Sequence, residues 1–407
     1  MACTLQVAPG GRFIAANPAG SRVIFASSGT LFEFDVETLT SEPIAQGFQG
    51  VAGTSEDLSR VYFASSKALP VEENSEGDLP VEGGFNLYLY EAGEGGGGGF
   101  AFVATLAAGD AIGDRLSPIN EKPSFQTARV TPDGGHLAFM SLAQPTHYDN
   151  TDRISGKPAT EVYLYQADSE DLLCASCNPS GARPVARVVK RSPGGTETGI
   201  LAAAYIPGRM SALYDGPRAL SGDGGRIFFN SYDALALADT NSKRDVYEWE
   251  APETGDCDEE NTAFAGQASG CITLLSSGRS PEDSEFIDVD PTGDNVFFTT
   301  AASLLAQDPG LVDLYDARAG GGLPPPPAPP AGCEGEACQG LPEPPNDPTP
   351  ASSTFQGAGN VAEEAPVAPR SCAKGKVRRK GRCVAKHHKR AHKRHRRAAG
   401  HNGRAAR

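Results

Sequence analysis

The sequence lacks the long apolar runs of membrane proteins and the periodicity of helical ones. No stretch approaches the ~20 consecutive apolar residues of a membrane-spanning helix, and no long segment repeats apolar residues at helical spacing. Its 18 Phe and 11 Tyr occur mainly in short β-branched runs, which are typical of strands. The 48 Gly and 32 Pro among 407 residues fit many short strands joined by turns. We therefore predict an all-β protein with no membrane span.

Common catalytic motifs are also missing. There is no Gly-x-Ser-x-Gly elbow, no His-Glu-x-x-His zinc motif and no P-loop, and the glycine run at 95–99 lacks the Lys-Ser/Thr that phosphate binding needs. His136 and His147 have no evident Ser or Cys partner in the sequence. A glycosidase carboxylate pair cannot be picked out among 51 acidic residues. We predict no catalytic residue and, calcium apart, no cofactor.

Charge is divided unequally along the chain. The segment from Arg370 to the end has 16 Lys/Arg and no Asp/Glu, which leaves 20 basic and 51 acidic side chains in the first 369 residues, a balance of −31. The acidic body is unsuited to binding nucleic acid or anionic membranes, whereas the tail suits a polyanion such as an anionic cell-wall polymer. Aromatic residues do not interleave the basic ones, which disfavours sequence-specific nucleic-acid binding. An equally favoured alternative is that the tail only increases solubility and is trimmed by proteases.

Eight of the nine cysteines fall in near pairs, and only Cys3 stands alone. The pairs are Cys174/Cys177, Cys257/Cys271, Cys333/Cys338 and Cys372/Cys383. Close pairs in loop-like sequence predict local disulfides and an oxidising compartment, so we expect a secreted or cell-envelope protein. No signal peptide is visible in residues 1–10. We expect the chain to begin inside a longer protein, because residues 13–16 already read as a strand within a repeat.

One repeated unit is clearest in Ser221–Glu250. A Ser-Gly-Asp-Gly turn leads into the apolar strand Ile227–Phe229, a polar insertion follows, and Val246–Glu250 forms the next strand. Weaker copies align on Phe25, Phe63, Phe139, Phe229 and Phe298, at spacings of 38, 76, 90 and 69 residues. The shortest spacing is close to the roughly 40–45 residues of a four-stranded propeller blade. Segment 200–206 is the best candidate for an additional strand or short helix.

These features resemble the WD-like repeat of TolB-type β-propellers over about residues 10–320. The shared features are the Pro/Ser-x-Asp-Gly turn, an apolar strand ending in Ser or Asn, and a third strand of the Asp-x-Tyr type. The resemblance implies a β-propeller with about five visible four-stranded blades. It departs from the family at Asp57, which no Gly follows, and at 18–20, where Pro-Ala-Gly has no Asp. It leaves function open, because such propellers bind proteins, bind glycans or support enzymes.

The composition changes after the repeats. We predict a propeller over residues 1–320, a disordered linker rich in Pro, Gly and Glu over 321–370, and a basic tail over 371–407 with a Cys372–Cys383 loop. The spacer 323–330 is polyproline-like. The native number of blades stays open.

One loop carries a pattern of oxygen ligands. Asp239, Asn241 and Asp245 lie at short intervals, as a Ca²⁺ site requires, although an EF-hand Gly and terminal Glu are missing. Segment 148–152 of the third copy is a parallel, weaker case. Asx residues in turns more often bind their own backbone, so calcium is the less favoured interpretation.

Two further motifs have ordinary structural interpretations. Asp133 and Asp223 are read as caps of tight turns, where the following Gly adopts positive φ, rather than as catalytic carboxylates. Cys174 and Cys177 have the spacing of a thioredoxin or half-zinc motif, but the βαβ context and the second ligand pair are missing. We predict a small disulfide or two free thiols there.

The function that we predict is an exported or envelope-associated, non-catalytic binding or scaffold module. It would present polar blade loops to a protein or glycan and bind a polyanion through its tail. The alternative is a propeller hydrolase or lyase acting on glycans, which would gather acidic and aromatic side chains at one end of its central channel. A cytosolic or nuclear nucleic-acid-associated protein is a third reading that rests on the tail alone.

Overall fold

The computed structural model describes most of the first 321 residues and a short C-terminal hairpin. The described residues are 4, 6–93, 97–111, 127–189, 199–208, 216–305, 310–321, 372–374, 376–380 and 382–385. They form two compact units, Met1–Pro325 and Pro326–Arg407. The linker predicted at 321–370 and the Cys333/Cys338 pair lie almost wholly or wholly outside the described residues. Within the described ranges, no helix is long and apolar enough to cross a membrane.

The first unit is built from strands that pair antiparallel with their neighbours in sequence. The strands of the first two sheets are β1 (Arg12–Ala16), β2 (Arg22–Ser27), β3 (Thr30–Asp35), β4 (Thr40–Gln46), β5 (Phe48–Thr54), β6 (Arg60–Ser65), β7 (Phe85–Ala92) and β8 (Gly98–Leu106). The third sheet contains β9 (Arg129–Val130), β10 (His136–Ser141), β11 (Glu161–Gln166) and β12 (Asp171–Cys174).

The later part of the unit is less regular. Its strands are β13 (Arg187–Val189), β14 (Ile200–Ala202), β15 (Ala204–Tyr205), β16 (Arg226–Ser231), β17 (Asp245–Glu250), β18 (Phe264–Ala265), β19 (Gly270–Leu274), β20 (Glu285–Val289), β21 (Asn295–Thr300) and β22 (Asp313–Arg318). Short 3₁₀ helices cover Ala108–Ala111 and Gly266–Ala268. The predicted extra segment at 200–206 is not a helix: it supplies β14, which pairs with β13, and β15, which pairs with β16.

The all-β propeller class is confirmed. Among the described residues of the first unit, five sheets are numbered as blades one to five, and the β13-β14 pair forms a separate two-stranded sheet. Blades one to three have four strands each, in the orders β1-β2-β3-β4, β5-β6-β7-β8 and β9-β10-β11-β12. The expectation of four strands throughout fails in blade four. Blade four is β15-β16-β17-β19-β18, because the connection after β17 folds back and adds β18 at the outer edge; blade five has β20-β21-β22 among the described residues. All five aligned phenylalanines lie in the second strand of their blade.

Both faces of the middle blades are buried, and this accounts for their nearly continuous apolar strands. In β10, Leu137 and Phe139 pack against blade two, whereas Ala138 packs in the cluster shared with blades four and five. Successive residues of a strand point to opposite faces. A strand covered on both sides therefore needs apolar residues at every position rather than at alternate ones.

The predicted Asp-Gly turns connect the first and second strands. In blade four the hydroxyl of Ser221 donates to Asp223 (2.6 Å), and that carboxylate accepts the backbone N–H of Gly225 (3.0 Å). Asp133 is bound in the same way by Thr131 and Gly135. These carboxylates cap turns, as expected. Gly134, Gly224 and Gly293 have φ of +73°, +77° and +82°, a region that L side chains rarely adopt.

Each of these glycines also touches the preceding blade. A Cβ on Gly134 would lie 2.7 Å from a carbon of Arg60, and one on Gly293 would lie 2.9 Å from a carbon of Arg226. A Cβ on Gly224 would overlap the imidazole ring of His136. We call these three pairs the interblade turn contacts. They show that glycine is required there for close approach as well as for φ.

The two atypical copies meet the same needs with other residues. Leu58 replaces the glycine of blade two, keeps a φ of +63° and is buried against blade one. In blade one Ala19 stands at the Asp position, and Asn17 takes the place of Thr131 and Ser221: its Oδ1 accepts the N–H of Arg22 (3.1 Å), as those hydroxyls accept the corresponding N–H groups. Both blades therefore form despite their departures from the repeat.

The second unit contains one described hairpin, β23 (Lys376–Arg379) paired with β24 (Arg382–Ala385). A disulfide joins Cys372 to Cys383, the pairing predicted from the sequence.

The interblade turn contacts predict a large difference between two glycines of similar φ. Gly156→Ala (φ +68°, open space around the Cβ) should cost only the left-handed penalty of about 1–2 kcal/mol. Gly224→Ala should cost roughly 1–3 kcal/mol more because the new methyl group overlaps His136. Urea unfolding of the purified variants measures both, and equal losses would show that the turn does not depend on the contact.

Candidate functional site

The loops between second and third strands are anchored in the same way in four blades. A Ser or Thr ends the second strand and lies opposite a polar residue at the start of the third, which is the first residue of that strand in three blades and the second in blade two. Its hydroxyl accepts the N–H of the loop residue two positions further along the chain. The pairs are Ser65 with Asn86, Ser141 with Glu161, Ser231 with Asp245, and Thr300 with Asp313. The loop amides belong to Lys67, Ala143, Asp233 and Ala302. This accounts for strands that end in Ser or Thr.

A tyrosine two residues after this polar residue of the third strand binds the same loop. Three of the four hydroxyls donate to a loop carbonyl: Tyr88 to Lys67, Tyr163 to Ala143 and Tyr315 to Ala302. The fourth, Tyr247, donates instead to the carboxylate of Asp239 (2.5 Å) while accepting the N–H of Leu235 (3.2 Å). The Tyr of the Asp-x-Tyr signature therefore anchors the loop. In blade four its hydroxyl binds a carboxylate instead of the backbone carbonyl that it binds in the other three blades.

The structure brings together two of the three predicted calcium ligands. Asp239 and Asp245 are 7% and 0% exposed, and each has one buried oxygen, Oδ1 of Asp239 and Oδ2 of Asp245, without a hydrogen-bond partner. The Oδ1 of Asn241, the third predicted ligand, accepts the N–H of Lys243 (2.8 Å) in an ordinary Asx turn. Calcium binding itself stays a prediction.

The parallel segment at 148–152 has no such unpaired oxygen. Both carboxylate oxygens of Asp152 accept backbone N–H groups, from Ser155 and Ala186. Asn150 donates to three backbone carbonyls, and Asp149 accepts the N–H of Thr151. Its three Asx side chains all bind backbone groups, which leaves blade four as the candidate.

Two further buried acids lie between blades three and four. Glu161 is 1% exposed; the Ser176 hydroxyl donates to its Oε2 (2.5 Å), and its Oε1 has no partner. Asp233 accepts from Asn178 (2.7 Å) and from the N–H of Val185 (3.1 Å). Burial, with repulsion from Asp233, holds the pKa of Glu161 well above its usual range, and burial also raises the pKa of Asp233. These are weak acids held by structural hydrogen bonds.

A cleft of about 880 Å³ opens beside these acids. One wall is the blade-four loop from Asp233 to Asp239, and another is the Asn178–Ala182 segment that follows blade three. The outer strands β18 and β19 form the base, with Phe264 and Ile272 among the lining residues. Arg153 adds a positive charge at the edge. The cleft offers hydrogen-bonding groups around an apolar base.

Disulfides fix both sides of the cleft. Cys174 and Cys177 are bonded to each other immediately before Asn178, and Cys257 is bonded to Cys271 immediately before Ile272. All four cysteines are buried. The thioredoxin and zinc readings of the first pair are therefore not supported, and no group of three or more His, Cys, Asp or Glu in the described ranges is arranged to hold a metal.

The sequence marks a polar insertion between Phe229 and Val246, but it does not predict that Asp233 of this insertion lies beside Glu161 and Asn178. Glu161 belongs to another blade, and its only sequence signal is its position two residues before Tyr163, in the Asp-x-Tyr register. This position in the strand predicts that Glu161 anchors a loop. It does not predict that a second acid, Asp233, approaches it from blade four.

Comparisons with known proteins identify similar solved structures. No family model and no curated protein matches the chain. TolB from Acinetobacter baumannii is 14% identical over 76% of this chain and 52% of its own, with a TM-score of 0.28, so this chain spans about half of that protein. A putative TolB from Agrobacterium tumefaciens is 13% identical over 76% of this chain and 81% of its own, with a TM-score of 0.30. An oligogalacturonate lyase from Vibrio parahaemolyticus is 10% identical over 77% of this chain and 78% of its own, with a TM-score of 0.27. The expected resemblance to TolB-type propellers is thus found, and the sheets themselves establish the fold.

The buried acids predict a pH dependence of stability. A carboxyl whose pKa is raised on folding binds its proton more tightly in the folded state, so stability should rise as pH falls from 7 towards 5. Burial also raises the pKa of Glu248 to about 7, which acts in the same direction. Glu161→Gln should flatten the rise by at most about 1.4 kcal/mol per pH unit.

The measurement is urea unfolding at several pH values. Asp149→Asn is the control, because the pKa of this exposed acid is lowered and it titrates below that window. An unchanged pH slope in Glu161→Gln would contradict a neutral buried Glu161.

Proposed function

We propose that the protein is a non-catalytic binding module of the extracellular space or cell envelope, with the blade-four cleft as its ligand site. The observation that carries this is the cleft itself, a depression of about 880 Å³ with the blade-four loop as one wall and the segment after the Cys174–Cys177 disulfide as another; the Cys257–Cys271 disulfide adjoins its base. Pre-formed concave sites with an apolar base and a few convergent polar groups are typical of ligand binding.

The acids beside the cleft favour binding over catalysis. Both oxygens of Asp233 already accept hydrogen bonds from the protein, and Glu161 is shielded from solvent. A glycan hydrolase or lyase needs carboxyl groups within reach of its substrate. The lining includes a single aromatic ring, Phe264, rather than a converging group of acids and aromatics.

A protein is the ligand that the surface favours over a glycan. Leu237 is fully exposed at the wall of the cleft and lies beside the small apolar residues Ala236 and Ala238. An exposed leucine in a depression is a suitable contact for a protein side chain, whereas sugars are usually bound by aromatic faces and hydrogen-bonding groups.

Site-specific crosslinking tests this ligand site. A photoreactive residue at Leu237 of the full chain should give one discrete protein adduct with envelope material from the producing cells. The same residue at Leu79, which is 59% exposed in blade two, is the control and should give none. Equal adducts at both positions, or binding only to a glycan array, would contradict the proposal.

Export and adhesion form the second part of the proposal. The six cysteines within the described residues form three disulfides, as expected for an oxidising compartment. The C-terminal hairpin places Lys374, Lys376 and Arg382 beside the Cys372–Cys383 disulfide, and 16 basic residues follow Pro369 without an acid. Such a segment suits an anionic wall polymer, to which it would bind electrostatically.

Fractionation of the native source tests both claims. The full chain should be recovered with the wall and released by raising the salt concentration to about 1 M, where charges are screened over ~3 Å. A variant lacking 371–407 should appear in the medium. At most three of the nine cysteines should react with an alkylating reagent after denaturation without reductant. Salt-resistant retention would contradict electrostatic adhesion, and more than three reactive thiols would contradict export.

A further inference from the structure

The Asp239–Asp245 pair is a buried concentration of negative charge. Asp245 is completely buried; its Oδ1 accepts from the Ser276 hydroxyl (2.5 Å) and the Gly278 N–H (3.3 Å), and its Oδ2 has no partner. Asp239 binds Tyr247 through Oδ2 and leaves Oδ1 unpaired. Among the described residues, no Lys or Arg forms an ion pair with either carboxylate.

The two carboxylates are held close together by the chain around Gly278. A Cβ on this glycine, whose φ is +61°, would lie 2.7 Å from the Cα of Asp239 and 2.9 Å from the carbonyl oxygen of Ala238. The N–H of Thr240 donates to the Gly278 carbonyl (2.9 Å). Burial raises the pKa of Asp239, and repulsion from Asp245 adds to this. The loop therefore brings like charges together without a protein counter-charge.

Blade two contains a neutral version of the same arrangement. Asn86 occupies the register of Asp245, and its side chain is fully paired. Its Oδ1 accepts from Val81 and Thr105, and its Nδ2 donates to the carbonyls of Ser65 and Val81. The fold thus needs only a polar anchor at this position. The carboxylate at 245 and the second one at 239 are additional to that structural need.

We propose that the unpaired oxygens of Asp239 and Asp245 bind a calcium ion. Unpaired buried carboxylates are relieved either by protonation or by a cation. Carboxylate oxygens are hard ligands, and Ca²⁺ accepts six to eight oxygens in flexible geometry, so that the Ala238 carbonyl and water can complete its shell. With two acidic ligands, the expected dissociation constant is that of weak extracellular sites, about 10⁻⁴–10⁻³ M. This inference does not depend on the ligand proposed for the cleft.

The test is a calcium titration of the full chain at pH 7.5. Five millimolar Ca²⁺, roughly 5–50 times such a dissociation constant, should raise the Tm by a few degrees. The same concentration of Mg²⁺ should not, because Mg²⁺ requires near-ideal octahedral geometry and dehydrates reluctantly. Tb³⁺ should give luminescence sensitised by Tyr247, which contacts Asp239 directly, and Ca²⁺ should displace it.

Variants locate the ion. The double variant Asp239→Asn/Asp245→Asn should lose both responses, and Asp245→Asn alone, which reproduces Asn86, should weaken them at least tenfold. Asp149→Asn, in the fully paired loop of blade three, should retain them. The proposal is overturned if wild-type protein shows neither a Tm shift with Ca²⁺ nor a Tb³⁺ signal. It is equally overturned if the double variant keeps the calcium response.

Discussion

The close approach of each Asp-Gly turn to the preceding blade is the constraint on which the array depends. Gly134 meets Arg60, Gly224 meets His136 and Gly293 meets Arg226, at positions where a methyl group has no room. The backbone reinforces two of these junctions, because Glu56 donates to the Pro132 carbonyl and Gly222 to the Pro291 carbonyl (both 2.8 Å). Apolar packing between blades is not directional. These turns supply the specific spacing that such packing lacks.

Charge strengthens the same junctions without determining them. Arg226 contacts Glu250 within its own blade (2.9 Å) and Asp294 in the next (2.7 Å), and Arg60 contacts Asp168 of blade three. Because Asp168 and Asp294 are largely exposed, such pairs contribute little stability individually. At the corresponding position blade three has His136, whose pKa is lowered by burial, so the junction does not require a cation. All three junctions have the close contact between a turn glycine and the preceding blade, but only two of them have an ion pair formed by the contacting side chain.

The repeat could be predicted from the sequence more fully than the site. The aligned phenylalanines, the capping role of Asp133 and Asp223, and the local cysteine pairs all depend on near neighbours in the chain. The proximity of Asp239 to Asp245 could also be predicted, because the two residues are close in the chain. In contrast, a pattern of oxygen atoms does not reveal that the Oδ1 of Asn241 already accepts a backbone N–H. Glu161 and Asp233 meet across two blades, and a single sequence has no signal for that contact.

The Ser/Thr and Tyr side chains that anchor each loop belong to the strands, and this allows the loop sequences to change independently of the sheet. Ser231 and Tyr247 bind the blade-four loop from strand positions, so the segment between them can vary while the sheet keeps its register. Asn86 shows that the anchor works equally well without charge. Aspartate and asparagine codons differ by one base. A point mutation can therefore add or remove the negative charge beneath a loop while the strands that hold the loop stay unchanged.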